Sequence, residues 1–195
     1  IEPGKQFSQV IFIGENTIYN DRAPGGDVQM DTRKAYNFKE KSRRTDFKSP
    51  MGQVTLFLED GKAGKVVKGR KTPLRDYEIE KLKNGLNYHY LNIALHGQKY
   101  NPEFTGSDER DGTTYKKLTF NIEGSEVVYF LHPETHYPNF VQFQQYSDDA
   151  GEEVQVTDHY SDWRIENGVA AAYQKKSYEA GEIAGSFTYK SVKFE

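Results

Sequence analysis

The chain has 195 residues and a net charge of −3, with 35% hydrophobic and 14% aromatic residues. So many aromatics exclude a disordered chain, and the near-neutral balance of 26 basic and 29 acidic residues gives no long-range field to attract nucleic acid. No apolar run approaches the roughly 18 residues of a membrane-spanning helix, and the absence of cysteine removes disulfides, thiol catalysis and thiolate-bound zinc. The first residue is Ile rather than Met. A processed or cut N-terminus is therefore expected, and a removed signal peptide would leave no trace.

Taken in chain order, the pattern is one of strands punctuated by turn pairs. Runs rich in Tyr, Phe, Val, Ile and Thr predict strands at 7–19, 27–38, 41–48, 53–59 and 62–69. The alternation of Val54, Leu56 and Leu58 marks one dry face. Lys39, Lys41, Arg43 and Arg44 form a basic cluster, read as a solvated outer face, with headgroup or nucleic-acid contact the weaker alternative. Thr72-Pro73 then opens a different stretch. Thr suits an N-cap and Pro the first helical position. Leu74, Tyr77, Leu82, Leu86, Tyr90 and Ile93 recur at helical spacing, with Asn84-Gly85 expected to split the insert into two short helices and Gly97 to end it.

Seven further strands are predicted at 103–110, 114–123, 126–132, 139–147, 153–165, 169–179 and 183–194. Turn signals lie at Gly25-Gly26, Asp60-Gly61, Asp111-Gly112, Gly124-Ser125, Asn167-Gly168 and Ala180-Gly181. Leu118, Phe120 and Ile122 share a face, as do Val141 and Phe143. Short links make neighbouring strands antiparallel. The expected fold class is mostly β (α+β): one domain over 1–195, with strands in 1–70, a helical insert at 72–97 and strands in 103–195. An antiparallel sheet of about 11 or 12 strands must curl, and the insert's apolar face then covers the concave side.

Three further local patterns invite chemistry. His132-Pro-Glu-Thr-His136 places Glu134 between two imidazoles four residues apart. Zinc-binding helices use that spacing, but Pro133 and Pro138 make this a turn, and it is neither an H-E-x-x-H nor an H-x-x-E-H motif. Asp108, Glu109 and Asp111 read as a solvated hairpin, since acid–base work needs a desolvated carboxylate. Tyr160-Ser-Asp162-Trp163-Arg164 reads as a strand with an aromatic anchor and an Asp/Arg pair two residues apart. No nucleophile elbow or phosphate-binding Gly loop occurs. No catalytic residue, metal site or cofactor is expected.

The segments FTGSDERDGTTYKKLTFNI, YFLHPETHYPNFVQFQ, VTDHYSDWRIENGVAAAYQKKSYEAGE and TYKSVKFE carry a resemblance. Their turn and strand signatures are similar to those of the LolA/LolB-like outer-membrane lipoprotein-sorting superfamily. They resemble more closely domains found alone or at the C-terminus of pitrilysin/insulinase-type zinc peptidase chains. The resemblance covers roughly residues 45–195, and more loosely the whole chain. The chain departs from the pattern at His132, where Asp is usual, at Trp163 in place of Tyr, and at Ala172 in place of Pro. It carries no peptidase zinc motif.

The resemblance implies a curved half-barrel closed by helices, whose apolar cavity holds acyl chains of a lipoprotein or lipid. It implies a location in the periplasm or cell envelope. It also implies a helix before the first strand, for which Ile1–Gln6 is too short. The inward residues expected to line the cavity are Leu56, Leu58, Leu118, Phe120, Val141 and Phe143 from the sheet, and Leu82, Leu86, Tyr90 and Ile93 from the insert. A plain packed core is the alternative for each. The rival functions are a ligand-free accessory domain docking on another envelope protein or a peptidase domain, and a metal-dependent hydrolase around His132, Glu134 and His136.

Overall fold

The computed structural model describes residues 7–19 and 26–195. The expected turn at Gly25-Gly26 lies partly outside these residues, and the question of a helix in 1–6 wholly so. The strands are β1 (Gln9–Ile18), β2 (Val28–Asn37), β3 (Ser42–Ser49), β4 (Gly52–Glu59), β5 (Lys62–Val67) and β6 (Arg70–Thr72). The helices α1 (Asp76–Asn87) and α2 (Tyr90–His96) follow, with a 3-10 turn at Gly97–Tyr100. Then come β7 (Glu103–Arg110), β8 (Thr113–Ile122), β9 (Ser125–Leu131), β10 (Pro138–Ser147), β11 (Glu152–Glu166), β12 (Val169–Glu179) and β13 (Glu182–Phe194).

Among the described residues, the 13 strands form one antiparallel sheet in the order β6-β5-β4-β3-β2-β1-β13-β12-β11-β10-β9-β8-β7. Two meanders therefore meet at the pairing of the first strand with the last. The sheet is curved and is not closed into a barrel, since β6 and β7 are its two free edges. The helical insert connects those edges, so the chain must cross one face of the sheet. That crossing places α1 against β3, β4 and β5, and the 3-10 turn after α2 against β8.

Tight hairpins set the register. Asp60-Gly61, Asp111-Gly112, Asn167-Gly168 and Ala180-Gly181 all place two successive residues at positive φ, the condition for a type I′ turn whose twist matches the strands. The turn expected at Gly124-Ser125 sits one residue earlier, on Glu123-Gly124, because Ser125 already pairs with Ile122. A hairpin at Lys68-Gly69 adds β6, a short strand the sequence reading missed. Thr72 consequently ends a strand instead of capping a helix.

The N-cap of α1 is Arg75, whose backbone N–H donates to the Glu78 carboxylate at 2.9 Å. The expected break at Asn84-Gly85 is also corrected. Helix α1 runs through Gly85 to Asn87, and the two helices part at Tyr88-His89. His89 caps α2, its Nδ1 accepting the Leu91 N–H at 3.2 Å.

The core lies between the helices and the concave face of the sheet. Leu82, Leu86, Tyr88, Tyr90 and Leu91 descend from the insert onto Val10, Phe12, Tyr36, Leu58, Phe120, Tyr129, Val141 and Phe143. Hydrophobic area removed from water dominates its stability, each large side chain contributing about 1.5–3 kcal/mol.

Candidate functional site

The register determines which side chains face the helices. Phe12, Lys34, Thr45 and Leu56 form one cross-strand row, and Tyr36, Arg43 and Leu58 the next. In the other meander the row runs Leu118, Tyr129, Val141, Asp158 and Ser177. All three rows have an apolar residue at the outer end and carry a charged residue further in.

Two cavities separate helices from sheet. The first, about 230 Å³, is bounded by Tyr90 and Ile93 of α2, Leu118 and Phe120 of β8, Tyr129, and Trp163. Its walls are apolar or aromatic except at His136, which also lines it. Trp163 packs edge-on against Tyr90 at 4.9 Å and beside Tyr137 at 4.8 Å, with its indole N–H donating to Asn139 at 3.1 Å.

The second cavity, about 100 Å³, lies beneath α1 and the start of α2, where Lys34, Arg43, Asp158 and Lys175 converge among Tyr36, Tyr160, Phe187 and Tyr189. Tyr90 lines both cavities. Its hydroxyl accepts the Ala172 N–H at 3.1 Å, which fixes the ring between them.

This second cavity holds three cationic side chains against one carboxylate. Asp158, 7% exposed, is fully engaged: its carboxylate contacts Lys175 Nζ at 2.6 Å and accepts the Ser177 hydroxyl at 2.6 Å. Lys34, 4% exposed, donates to the Tyr189 hydroxyl at 3.3 Å, and its ammonium stands 2.9 Å from the Phe187 ring centroid. Arg43 donates to the Leu82 carbonyl at 3.3 Å, while its Nε is buried with no partner. The Thr45 hydroxyl, on the residue opposite Lys34, is buried without a partner as well. Gly85 makes the Arg43 position possible. A methyl group there would overlap the guanidinium, so the glycine inside α1 provides the seat.

The electrostatics follow. Desolvation pushes the Lys34 ammonium well below the usual lysine range, and Lys175 and Arg43 push it further, against a smaller opposing pull from Asp158. Desolvation, then Lys175, Arg43 and Lys34, likewise push His89 well below the usual imidazole range. His89 is therefore neutral, consistent with Nδ1 acting as an acceptor, and it sits among the rings of Phe12, Tyr36, Phe38 and Tyr90. Burial raises the phenols of Tyr90, Tyr129, Tyr160 and Tyr189, so none is a base near neutral pH.

The ten residues expected to line a cavity are distributed as follows. Tyr90, Ile93, Leu118 and Phe120 line the apolar cavity. Phe143 borders the cationic one. Leu58 and Leu86 border an open hollow of about 340 Å³ beside Lys83 and Glu123. Leu82 is buried, Val141 is 0% exposed, and Leu56 is half-buried.

The reading of Lys39, Lys41, Arg43 and Arg44 as an outer face is corrected at Arg43. Its register partner Leu58 points to the helices and so does Arg43. Arg44, one residue on, does lie outside, paired with Asp46 at 3.0 Å.

The remaining motifs make local contacts. The 132–136 segment is a turn in which His132 Nδ1 accepts the N–H groups of Glu134 and Thr135. Among the described residues no group of three His, Asp or Glu is arranged to hold a metal. Asp108 pairs with Arg110 at 3.1 Å, and Asp162 with Arg164 at 2.7 Å.

Sequence reasoning missed Lys34, Asp158 and Lys175. A signal existed at Asp158. It shares the phase of Val154, Val156 and Tyr160, all buried, so a charge in that register faces the core.

No family model matches the sequence, and no curated protein matches it. Solved structures do. A DUF1329 family protein from Desulfovibrio piger ATCC 29098 superposes with a TM-score of 0.61 at 9% identity, over 98% of this chain and 87% of that one. A LolA superfamily protein from Nitrosomonas europaea superposes with a TM-score of 0.61 at 15% identity, over 99% of this chain and 87% of the other. At such identities the likeness is one of architecture: the chain shares the fold of a LolA superfamily protein and of a DUF1329 family protein.

Proposed function

We propose that the protein is a non-enzymatic carrier that holds the acyl chain of a lipid or lipoprotein between its helices and the concave face of its sheet. The observation that carries this reading is the apolar cavity of about 230 Å³ among Ile93, Leu118, Phe120 and Trp163. Removing methylene groups from water stabilises such a complex by about 0.8 kcal/mol each, with little demand on shape. The LolA-like fold supports the carrier class in general. A place in the periplasm or envelope, and a part in lipoprotein sorting, are the finer elements of the proposal. The side-chain set is Leu56, Leu58, Leu82, Leu86, Tyr90, Ile93, Leu118, Phe120, Val141 and Phe143, with those on α2 and β8 nearest the cavity.

Native mass spectrometry of the purified protein, with organic extraction and titration of a fluorescent acyl probe, tests the reading. A co-purifying fatty acid or phospholipid, and probe uptake that Ile93→Trp abolishes, are expected. A ligand-free mass together with no uptake overturns it.

The close packing of Leu82, Leu86 and Val141 favours a second reading, a ligand-free accessory domain that docks on another envelope protein or on a peptidase-type domain. Stable capture of such a domain by protein that takes up no probe would establish it.

A further inference from the structure

The cationic cavity is not needed to hold an acyl chain, and it costs stability. Charged groups buried without counter-ions are unfavourable by several kcal/mol each. Among the described residues neither Lys34 nor Arg43 has a carboxylate partner, and the one carboxylate in the cavity is occupied by Lys175 and Ser177. Arg43 Nε and the Thr45 hydroxyl are buried with nothing to bond. A glycine in the interior of α1, itself unfavourable by about 1 kcal/mol against alanine, keeps room for the guanidinium. Two lysines and an arginine, an orphaned N–H donor and open space of about 100 Å³ are thus held together beneath the helices. Lys175, 20% exposed, leaves the cluster in contact with solvent.

We infer that the ligand's polar end is an anionic oxygen group, a carboxylate or a phosphate, seated between Lys34, Arg43 and Lys175. The inference rests on the carrier reading. Such a group accepts charge-assisted hydrogen bonds from Arg43 Nε and from the two ammonium groups, and supplies the missing counter-charge. A neutral head would leave the donors unanswered, and a cationic head would be repelled. Tyr90 borders both cavities, so a head in the cationic one stands beside the apolar one that receives the chain. The occupant is therefore an anionic amphiphile. Specificity resides at its head, because the chain offers no polar handle.

Isothermal titration of the delipidated full chain with decanoate, decyl phosphate, decanol and inorganic phosphate tests this. Binding of decanoate or decyl phosphate about tenfold or more tighter than decanol is expected, the worth of one charge-assisted hydrogen bond. The tighter of the two identifies the head as carboxylate or phosphate. Lys34→Met should reduce the preference for the two anions over decanol. Gly85→Ala, which crowds the guanidinium but favours the helix, should weaken the anions in the same way in a fully folded protein. Equal binding of decanol and the two anions overturns the anionic seat and leaves the carrier reading standing. Tight binding of inorganic phosphate with no gain from a decyl chain overturns the amphiphile. Binding of none of the four overturns both.

Discussion

At the scale of single residues, the distinctive choice is a lysine in a core position. Lys34 shares its face with Phe12 and Tyr36, where an apolar side chain would pack without desolvating a charge. Replacing even a buried ion pair by hydrophobic residues of similar volume is often neutral or stabilising by about 1–4 kcal/mol, and among the described residues Lys34 has no carboxylate partner to offset its desolvation. Lys34→Met should therefore raise the melting temperature of the ligand-free protein by several degrees, checked by calorimetry. A fall would show that the Tyr189 and Phe187 contacts outweigh the desolvation.

His89 makes a second residue-scale prediction. Its folded pKa is depressed, so between that value and about 6.5 the unfolded chain binds a proton that the folded chain refuses. Stability is lost as pH falls through that window. His96 and His159 are shifted the same way by burial and share the effect. The urea midpoint should drop between pH 7.5 and 5.5, and His89→Asn, which keeps a capping acceptor, should flatten but not remove the slope. An unchanged slope would place the sensitivity at the other histidines.

Among elements, the hairpins and helices differ in how they are specified. Each hairpin is local. Asn167-Gly168 at positive φ joins two strands whose alternation already agrees with the turn. Those strands were readable because backbone preference and side-chain pattern coincide over a few residues. The helices were readable as an insert but not in their limits. Asn84-Gly85 resembles a breaker, yet α1 continues through it, because the helix is held by what it packs on and the glycine answers Arg43.

Leu86 is 3% exposed at the centre of that packing. Leu86→Ala should cost about 2–5 kcal/mol by urea denaturation. A loss under 1 kcal/mol would mean that α1 rests only loosely on the sheet. In β1 the controlling contact is closer still. A methyl group on Gly14 would overlap the Thr188 backbone at the bulge that turns β1 against β13.

At the scale of the whole molecule, the sheet is completed by its ends. Gln9–Ile18 pairs with Glu182–Phe194, so the two meanders become one sheet only when the first and last strands meet. Contacts so distant in sequence are entropically costly to close, and refolding should run in milliseconds to seconds by stopped-flow fluorescence of Trp163. Truncation after Gly181 removes Tyr189 and Val192 from the core and bares the edges of β1 and β12. Loss of near-UV circular dichroism and aggregation are expected. A truncated chain that keeps a cooperative transition would show the meanders to be independent.

The amino-acid sequence by itself determined every strand but β6, the antiparallel meander, the helical insert and its place over a curved sheet. These follow from period-2 alternation, turn chemistry and short connections, all of them local. Only the tertiary structure decided which charged residues face inwards and meet. Lys34, Arg43, Asp158 and Lys175 come from four different strands. Each is unremarkable along the chain, and their convergence depends on the register of β1 with β13 and on the crossing of α1. A polar side chain discloses its role only when the other walls of its cavity are in place, because desolvation and unmet hydrogen bonds belong to the assembled interior.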